Sequence, residues 1–310
     1  MTTDWLNLRN DPSIPADKNS NVIGVLPPET VVEKLPDLNT DHWFHVRTFL
    51  GNKEAKGFTS TNFLKETSNV LPAIEPVQTG VIPEAHLIQG PGKVIRRNEI
   101  NGRAFPLNEP GVKRFQIAHS TNTAQNIKEI HEVLGWLDVE HSQRYAPTNA
   151  NTYCNIYAYD VAYCCGVYIP RVWWNEKAFQ QINNGLKPQP VYEKMVTELN
   201  ANALTDWFEN YGESFHWKRV LDIDTLQKEV NEGRVGFIVA QRINLNRSGH
   251  IVAIIPETPD HQAQRDVSNK IISPLQSQAG VVNKQIFTAN NWWVNPNKFR
   301  KFGLWVMQPQ

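Results

Sequence analysis

The chain of 310 residues carries 31 Lys and Arg against 31 Asp and Glu, so its formal net charge is zero. A neutral chain lacks the basic surface that binds nucleic acids or anionic lipids, so we expect neither class of partner. With 40% apolar and 20% charged residues, the composition excludes a disordered chain and fits two globular domains.

The first residues contain neither the basic nor the apolar region of a signal peptide. No window of the sequence approaches the length of apolar chain that a transmembrane helix needs. We therefore expect synthesis in the cytoplasm and no membrane association, with a signal removed before the first residue as the alternative.

Residues 1–66 have the pattern of short strands separated by turns. Strands are predicted at 6–8, 22–26, 30–35 and 43–49, with a turn at 11–13 and a hairpin loop at 51–53. Regularly spaced strands without a helical period favour a small all-β barrel. The pattern leaves open whether Trp5, Trp43 and Phe44 lie in the barrel core or in a groove.

This segment resembles a bacterial SH3-like domain. The resemblance rests on an ordered series of motifs: LNLR at 6–9, DPS at 11–13, VIGVL at 22–26, WFHV at 43–46, GFT at 57–59 and NFL at 62–64. It implies a domain that targets cell-wall peptide or glycan. A structural spacer domain is the alternative.

Residues 67–111 are rich in Pro and Gly, a composition that disfavours helices and long strands. The segment is also too apolar for a solvated tether, and it is long for a loop without structure of its own. We therefore predict an extended strap with short strands, packed on one or both domains. Its position just before the reactive region makes it a candidate wall of a substrate cleft.

Apolar residues at intervals of three and four predict a helix over 117–136, with Gly135 as its C-terminal signal. The same spacing predicts a second helix that begins at Cys154 and ends at Gly166. Free N–H groups and the positive end of the helix dipole at Cys154 favour a thiolate, which is a nucleophile. The alternative is that Cys154 is a small buried apolar residue.

The cysteine content also limits the chemistry. Cys154, Cys164 and Cys165 lie close together and are odd in number, so we expect a reduced chain without a disulfide framework. The sequence has no CxxC pair, and His131-Glu132 lacks the second His of an HExxH motif. We therefore expect neither a metal nor a cofactor.

A nucleophilic cysteine needs a base, and His250 is the strongest candidate. It opens an apolar strand at 250–255 that is predicted to form a hairpin with a strand at 235–240. A histidine at the first position of a core strand lies at the rim of the sheet, where it can face a helix N-terminus. Gly249 before it permits close approach of another backbone or of substrate.

The TYCNIYAYD sequence at 152–160, followed by GHIVAI at 249–254, resembles the Cys and His core of papain-fold cell-wall hydrolases. Amidases and endopeptidases of the NlpC and CHAP types are examples. The resemblance covers about residues 112–310. It implies that a thiolate at Cys154 attacks an amide of the peptidoglycan stem peptide. His250 would take the thiol proton and return it to the leaving amine, and water would then cleave the thioester.

The resemblance also implies a third residue that orients the imidazole, on the strand after the His strand, here predicted over 270–280. Gln278 is the first choice for this third catalytic residue. Gln276 faces the same side by the two-residue period of a strand, and Asn290 is a third option. A neutral amide can set the tautomer but stabilises an imidazolium less than a carboxylate does.

The oxyanion hole is expected to combine the Cys154 N–H with one of three nearby side chains, Tyr153, Asn149 or Asn151. The candidate substrate-binding residues flank the cysteine or belong to aromatic pairs that could stack on sugar: Tyr153, Asn155, Trp174 and Trp292. Packing in the core is the alternative for the tryptophans.

These inferences predict an SH3-like targeting domain at 1–66, a strap at 67–111 and an α+β papain-like domain at 112–310. In the papain-like domain, helices pack on an antiparallel sheet. The predicted function is hydrolysis of an amide bond in the peptidoglycan stem peptide, with an endopeptidase favoured over an amidase. The alternatives are a papain-like deamidase, transglutaminase or peptidase that acts on proteins, and a wall-binding protein without activity.

The predicted partner is peptidoglycan. A wall hydrolase made without a signal peptide reaches the cell wall or periplasm by secretion, by injection or by lysis. A phage endolysin and an injected antibacterial effector both fit this expectation. An immunity protein would be a further partner only in the effector case.

Overall fold

The computed structural model describes residues 1–16, 18–50, 53–71 and 82–310. It contains a five-stranded and a six-stranded antiparallel sheet, with helices against the larger one. The predicted α+β class with antiparallel sheets is therefore confirmed.

The first sheet belongs to the N-terminal segment and has the strand order β2-β1-β5-β4-β3. Its strands are β1 (Leu6–Arg9), β2 (Val22–Leu26), β3 (Glu33–Lys34), β4 (Trp43–Leu50) and β5 (Lys53–Ser60). Alternate side chains of these strands, including Leu8, Leu26 and Val46, fill a small core. The period of two in the sequence therefore corresponds to one buried face.

One prediction in this segment is wrong in detail. The strand expected at 30–35 is reduced to the two residues of β3, because the Val31 carbonyl accepts a hydrogen bond from the Thr48 hydroxyl (3.0 Å) instead of a ladder N–H. Residues Thr61–Phe63 form a single 3-10 turn. Residues 51–52 of the predicted hairpin loop lie outside the described residues.

The remaining elements form the second unit. Its helices are α1 (Thr123–Leu137), α2 (Cys154–Cys164), α3 (Glu176–Asn183), α4 (Ala201–Tyr211) and α5 (Ile223–Asn231). Its strands are β6 (Val172–Trp174), β7 (Val196–Glu198), β8 (Trp217–Val220), β9 (Gly236–Arg242), β10 (His250–Ile254), β11 (Gln264–Arg265), β12 (Ile271–Ser273), β13 (Leu275–Gln278), β14 (Lys284–Thr288) and β15 (Phe299–Met307). The large sheet has the order β14-β13-β10-β9-β15-β8, and α2 packs on β10 and β13.

The helix predicted at 117–136 begins later than expected. Residues Ile117–His119 form a 3-10 turn, and α1 starts after Asn122, whose side chain accepts a hydrogen bond from the Gln125 N–H. Gly135 is an ordinary helical residue. The helix ends instead at Asp138, which has the left-handed conformation that an Asp adopts more readily than most residues.

The strap packs on the second unit without forming strands, at least over its described part, so the predicted short strands are not found. Ala85 and Leu107 are fully buried in the core around α2. Side-chain hydrogen bonds take the place of a ladder: Asn108 accepts from the Ile95 N–H (2.7 Å) and donates to the Lys93 carbonyl (3.0 Å). Residues 72–81 of the strap lie outside the described residues.

The small sheet is joined to the large one by a shared apolar core. Val22 of β2, with Val25 beside it, packs into the cluster formed by one face of β9, β10 and β15. On the other side of this contact, Leu221 packs against the small core of the N-terminal sheet. The two sheets are therefore held together by burial of apolar surface.

Gly166 ends α2, as predicted, and its backbone adopts the left-handed conformation.

 Gly166 has a φ of +72 degrees, at which an L side chain is strained. A Cβ added to Gly166 would also lie only 2.2 Å from the Phe115 carbonyl oxygen. We therefore expect Gly166→Ala to lower the free energy of unfolding by more than the roughly 1–2 kcal/mol that the left-handed conformation alone costs.

The matched control for this prediction is Gly185→Ala. Gly185 has a similar φ of +76 degrees, but nothing lies within 4 Å of an added Cβ. Its substitution should therefore cost only the conformational part, roughly 1–2 kcal/mol. Urea unfolding followed by tryptophan fluorescence measures both variants. Equal losses in the two variants would show that the contact with Phe115 contributes nothing.

Candidate functional site

Cys154 is the first residue of α2, as the sequence predicts. A turn precedes it, in which the Thr148 N–H donates to the Asn151 carbonyl (2.9 Å) and the Asn151 N–H donates to the Thr148 hydroxyl (3.0 Å). The residue before the helix, Tyr153, provides no side-chain cap. The first N–H groups of α2 are therefore left for other acceptors.

The Cys154 thiol is more deeply buried than a helix N-terminus alone would suggest, with an exposed fraction of 1%. Burial raises the pKa of the Cys154 thiol, and hydrogen bonding from the N–H groups of Ile251, Asn155 and Cys154 itself opposes that rise without reversing it. The expectation of a thiolate favoured by the helix N-terminus is therefore wrong for the resting protein. Desolvation outweighs the helix dipole here.

The contribution of the Ile251 N–H is the most informative of these contacts. Ile251 follows His250 directly on β10, so the sulfur lies against the backbone of the strand that carries the candidate base. No hydrogen bond joins Cys154 to the His250 imidazole in the described structure. The fold thus brings the two residues to neighbouring positions on α2 and β10, with the thiol in its neutral form.

His250 opens β10 as predicted, in a hairpin with β9. The hairpin loop is held by Asn202 of α4, whose side-chain amide donates to the carbonyls of Arg247 (2.9 Å) and Leu245 (3.3 Å). Gly249 permits this contact, because an added Cβ would lie 2.6 Å from both the Asn202 side-chain oxygen and the Ala240 carbonyl. The predicted close approach at Gly249 is therefore made by protein rather than by an open space for substrate.

Gln278 of β13 binds the imidazole. Its Oε1 lies 2.8 Å from His250 Nε2, and its Nε2 donates to the Val282 carbonyl (3.1 Å). The Val282 contact assigns the orientation of the amide, so Oε1 accepts and His250 Nε2 carries the proton. Nδ1 is then the basic nitrogen of the neutral ring.

The electrostatic surroundings of His250 favour this neutral ring. Burial lowers the pKa of His250, the hydrogen bond to Gln278 raises it, and the positive charge of Arg242 lowers it. The net direction is downward. The imidazole is therefore a neutral acceptor at neutral pH, as a general base requires.

The other two candidates for the third residue have different surroundings. Gln276 is fully buried; its Oε1 accepts from Trp292 Nε1 (3.0 Å) and its Nε2 donates to the Ala289 carbonyl (2.7 Å). Trp292 in turn packs edge-on against the His250 ring, with centroids 4.9 Å apart. Gln276 thus acts on the imidazole only through Trp292, whereas Asn290 is exposed and lines a neighbouring surface depression.

A cleft of about 1700 Å³ opens at this end of the sheet. Several predicted residues line it, including Tyr153, Asn155, His250, Gln278 and Trp292. Cys154 is not among the lining residues, although its neighbours on both sides are. A substrate carbonyl can reach the sulfur only if a neighbouring side chain gives way, since the thiol lies directly beneath the cleft surface.

The strap forms part of the cleft wall, through residues 102–105. Arg103 stacks on the Tyr153 ring, with its guanidinium carbon 3.5 Å from the ring centroid. The same side chain donates to the carbonyls of Arg144 (2.8 Å) and Gln143 (3.2 Å). The strap therefore fixes one of the residues that flank Cys154.

Trp174 does not line the cleft, so its predicted role as a substrate-binding residue is wrong. It is buried on β6, and its Nε1 donates to the Pro83 carbonyl of the strap (2.7 Å). Trp173 is buried as well, within a cluster of aromatic rings. The aromatic pair at 173–174 thus belongs to the core.

The three side chains proposed for the oxyanion hole, Tyr153, Asn149 and Asn151, all line the cleft beside the start of α2. Asn155, which the sequence analysis names as a candidate substrate-binding residue, donates to the Leu199 carbonyl (2.8 Å) and so links α2 to the chain before α4.

Sequence reasoning missed Asn202 and Arg103. Asn202 donates to the carbonyls of Leu245 and Arg247, which are more than 40 residues away in the chain. Arg103 stacks on the ring of Tyr153, which is also distant in the sequence. Asn200, an Asn at the N-cap of α4, marks the start of that helix in the sequence, but no local signal shows that Asn202 supports the hairpin of the base.

Within the described residues, no group of three or more His, Cys, Asp or Glu side chains is arranged to hold a metal ion. Over the same parts of the chain, no helix combines the length and apolar character that crossing a bilayer requires. Comparison of the chain with protein-family models, with curated proteins and with solved structures found no match.

The role of Gln278 can be tested by Gln278→Glu. A carboxylate at hydrogen-bonding distance favours the protonated imidazole, so it should raise the pKa of His250. The acid limb of the pH dependence of kcat/KM, which follows loss of the neutral base, should then move to higher pH. Gln278→Ala should lower kcat/KM about 100-fold, because the ring loses its orientation.

Gln264→Ala is the matched control, since Gln264 is an exposed glutamine on β11, outside the cleft. It should change neither kcat/KM nor the pH dependence of kcat/KM. An unmoved acid limb in Gln278→Glu would contradict the assignment of Gln278 as the residue that orients His250.

Proposed function

We propose that the chain is a cysteine-dependent peptidoglycan hydrolase that cleaves an amide bond of the stem peptide. An endopeptidase is favoured over an amidase. The second unit would be a papain-like domain and the N-terminal sheet an SH3-like domain that binds the wall. The site of action would be the cell wall or periplasm.

The reaction proceeds through His250 as general base. As the sulfur of Cys154 attacks the carbonyl carbon, its proton passes to His250 Nδ1, and the carbonyl oxygen becomes an oxyanion. The proton then passes to the leaving amine as the C–N bond breaks, which leaves a thioester on Cys154. Water, deprotonated by His250, hydrolyses the thioester and releases the new carboxyl group.

The resting charges favour this order of events. Burial raises the pKa of Cys154 and lowers that of His250, so both directions favour a neutral thiol beside a neutral imidazole. The proton is therefore still on the sulfur in the resting protein. Gln278 supplies an oriented but uncharged partner to the imidazolium that forms.

A single observation carries the proposal. His250 is oriented by Gln278 at the mouth of a large cleft, while Cys154, at the start of a helix, points its sulfur at the backbone of the next residue on the same strand. A buried cysteine with a purely structural role does not need a neighbouring histidine whose ring is oriented by a second side chain. The accompanying small β domain supports a wall substrate over a protein substrate.

The test is digestion of purified sacculi, with mass spectrometry of the released fragments. The wild-type chain should release fragments, whose masses identify the cleaved bond, while Cys154→Ala should release none. Binding of sacculi without release would overturn the hydrolase and support a wall-binding protein. Intact sacculi together with cleavage or deamidation of a protein substrate would support the second alternative.

A further inference from the structure

The cleft at the candidate site has an unbalanced charge. Its lining includes six cationic side chains against the single carboxylate of Glu198. The six are Arg103, Arg171, Arg242, Arg247, Lys284 and Lys298. Glu198 is already paired with Arg171, and none of the other five has an acidic partner within the described parts of the chain. Since the whole chain is neutral, this positive charge is local to the cleft.

Three of these cations lie together around the β9–β10 loop, next to the base. Arg242 ends β9, and the Ile243 N–H that follows it donates to the Lys298 carbonyl (3.1 Å), so Lys298 is its neighbour. Arg247 lies on the same loop. Burial lowers the pKa of Arg242, and the charge of Arg247 lowers it further, so the two guanidinium groups repel each other.

Arg242 is held in place by contacts that leave its outer nitrogens for a ligand. Its Nε donates to the Ser248 carbonyl (3.0 Å), and its guanidinium carbon lies 4.7 Å from the centre of the Phe299 ring. Its two Nη groups have no hydrogen bond to any described residue. A guanidinium fixed at Nε and open at Nη presents donors that suit a carboxylate.

We infer that the substrate carries a free carboxylate near the scissile bond, and that Arg242 and Arg247 bind it. This inference rests on the proposed function and specifies its substrate class as stem peptides with an ionised carboxyl group. A bound anion relieves the repulsion between the two guanidinium groups. It also offsets the charge of Arg242 on His250, whose imidazolium the reaction must form.

The loop that carries these arginines is rigidly supported. Asn202, which is buried, accepts a hydrogen bond from the Arg242 N–H (2.9 Å) and donates to the Arg247 carbonyl (2.9 Å). The backbone at both arginines is therefore held by one side chain of α4. A loop held in place in this way reduces the entropy that the two arginines lose when they bind an anion.

The test compares two synthetic stem-peptide fragments that differ only in a free carboxylate or a carboxamide next to the scissile bond. Calorimetry with Cys154→Ala protein measures binding without turnover. The carboxylate peptide should bind about tenfold or more tightly than the carboxamide peptide. Adding Arg247→Gln to this protein should reduce the ratio towards one, and so should Arg242→Gln.

Lys187→Gln is the control for loss of one exposed positive charge outside the cleft, and it should leave the ratio unchanged. Equal binding of the two peptides by Cys154→Ala protein, or an unchanged ratio in both arginine variants, would overturn the carboxylate site. In that case release of fragments from sacculi would still support the hydrolase. Absence of release from sacculi would overturn the proposed function and the inference with it.

Discussion

Replacing either Cys154 or His250 with alanine is expected to lower the rate of fragment release from sacculi by at least about 1,000-fold. Without the sulfur there is no nucleophile. Without the imidazole the thiol keeps its proton, because burial raises the pKa of Cys154 and the surrounding N–H groups do not overcome that effect. Initial rates of release, measured by chromatography of the soluble fragments, check the prediction.

The double variant Cys154→Ala with His250→Ala makes the prediction sharper. Residues that act as one unit show strongly non-additive losses, so the double variant should be no slower than the worse single one. Cys164→Ala is the matched control: Cys164 lies at the other end of α2, is buried, and should be dispensable for the reaction. Losses that multiply in the double variant would contradict a shared step.

Asp160→Asn is expected to lower the free energy of unfolding by about 3–5 kcal/mol, because it breaks an ion pair that is wholly buried. Arg144 Nε and Nη2 both donate to the Asp160 carboxylate, at 2.6 and 3.1 Å, and neither side chain is exposed. Tyr145 donates to the same carboxylate (2.9 Å). The substitution leaves the buried guanidinium without a counter-charge. Urea unfolding followed by tryptophan fluorescence measures the loss.

The charges of this pair support the large expected effect. Burial acts to lower the pKa of Arg144, but the charge of Asp160 and its hydrogen bonds raise it overall. Burial raises the pKa of Asp160, against the opposing contacts with Arg144 and Tyr145. We take the pair as charged at neutral pH, because the carboxylate accepts three hydrogen bonds from these two side chains.

Glu99→Gln is the control for the ion-pair prediction. It breaks the pair between Arg96 and Glu99, in which both side chains are largely exposed. Solvent screens such a pair, so the loss should be below about 1 kcal/mol. A similarly small loss in Asp160→Asn would mean that the buried pair contributes no more than a surface one.

The buried pair also links the helix of Cys154 to the cleft wall. Arg144 donates to the carbonyls of Phe105 (2.9 Å) and Gly102 (3.3 Å), which belong to the strap. Asp160 lies on the same helix as Cys154, α2. Loosening of this network should therefore affect the cleft as well as stability.

The positions of Cys154 and His250 could be predicted because local signals mark them. A helical period starts at one, and an apolar strand after a glycine starts at the other. The sequence leaves three candidates for the residue that orients His250, and the two-residue period of a strand places two of them, Gln278 and Gln276, on the same face. Only the contacts made by each amide, one with His250 and one with Trp292, separate the two.

Other features depend on contacts between distant parts of the chain, which no local pattern reports. Trp174 belongs to a pair of adjacent tryptophans, as does Trp292, which lines the cleft. The strap nevertheless covers Trp174, through the Pro83 carbonyl. The state of Cys154 depends on how deeply the sheet and α2 bury it, and this is a tertiary quantity. Asn108 replaces a strand ladder in the strap with its own side chain, so a strand pattern there is misleading.

The apolar seam between Val22 and the large sheet has a mechanical consequence for the proposed function. A wall-binding domain on a flexible linker would let one bound molecule reach many bonds in the peptidoglycan network. Under the proposed function, this seam would hold the wall-binding face of the N-terminal sheet at a fixed distance from the cleft. Each bound molecule would then reach only bonds at one distance from its binding site, and it would have to dissociate from the wall before it cleaved the next bond.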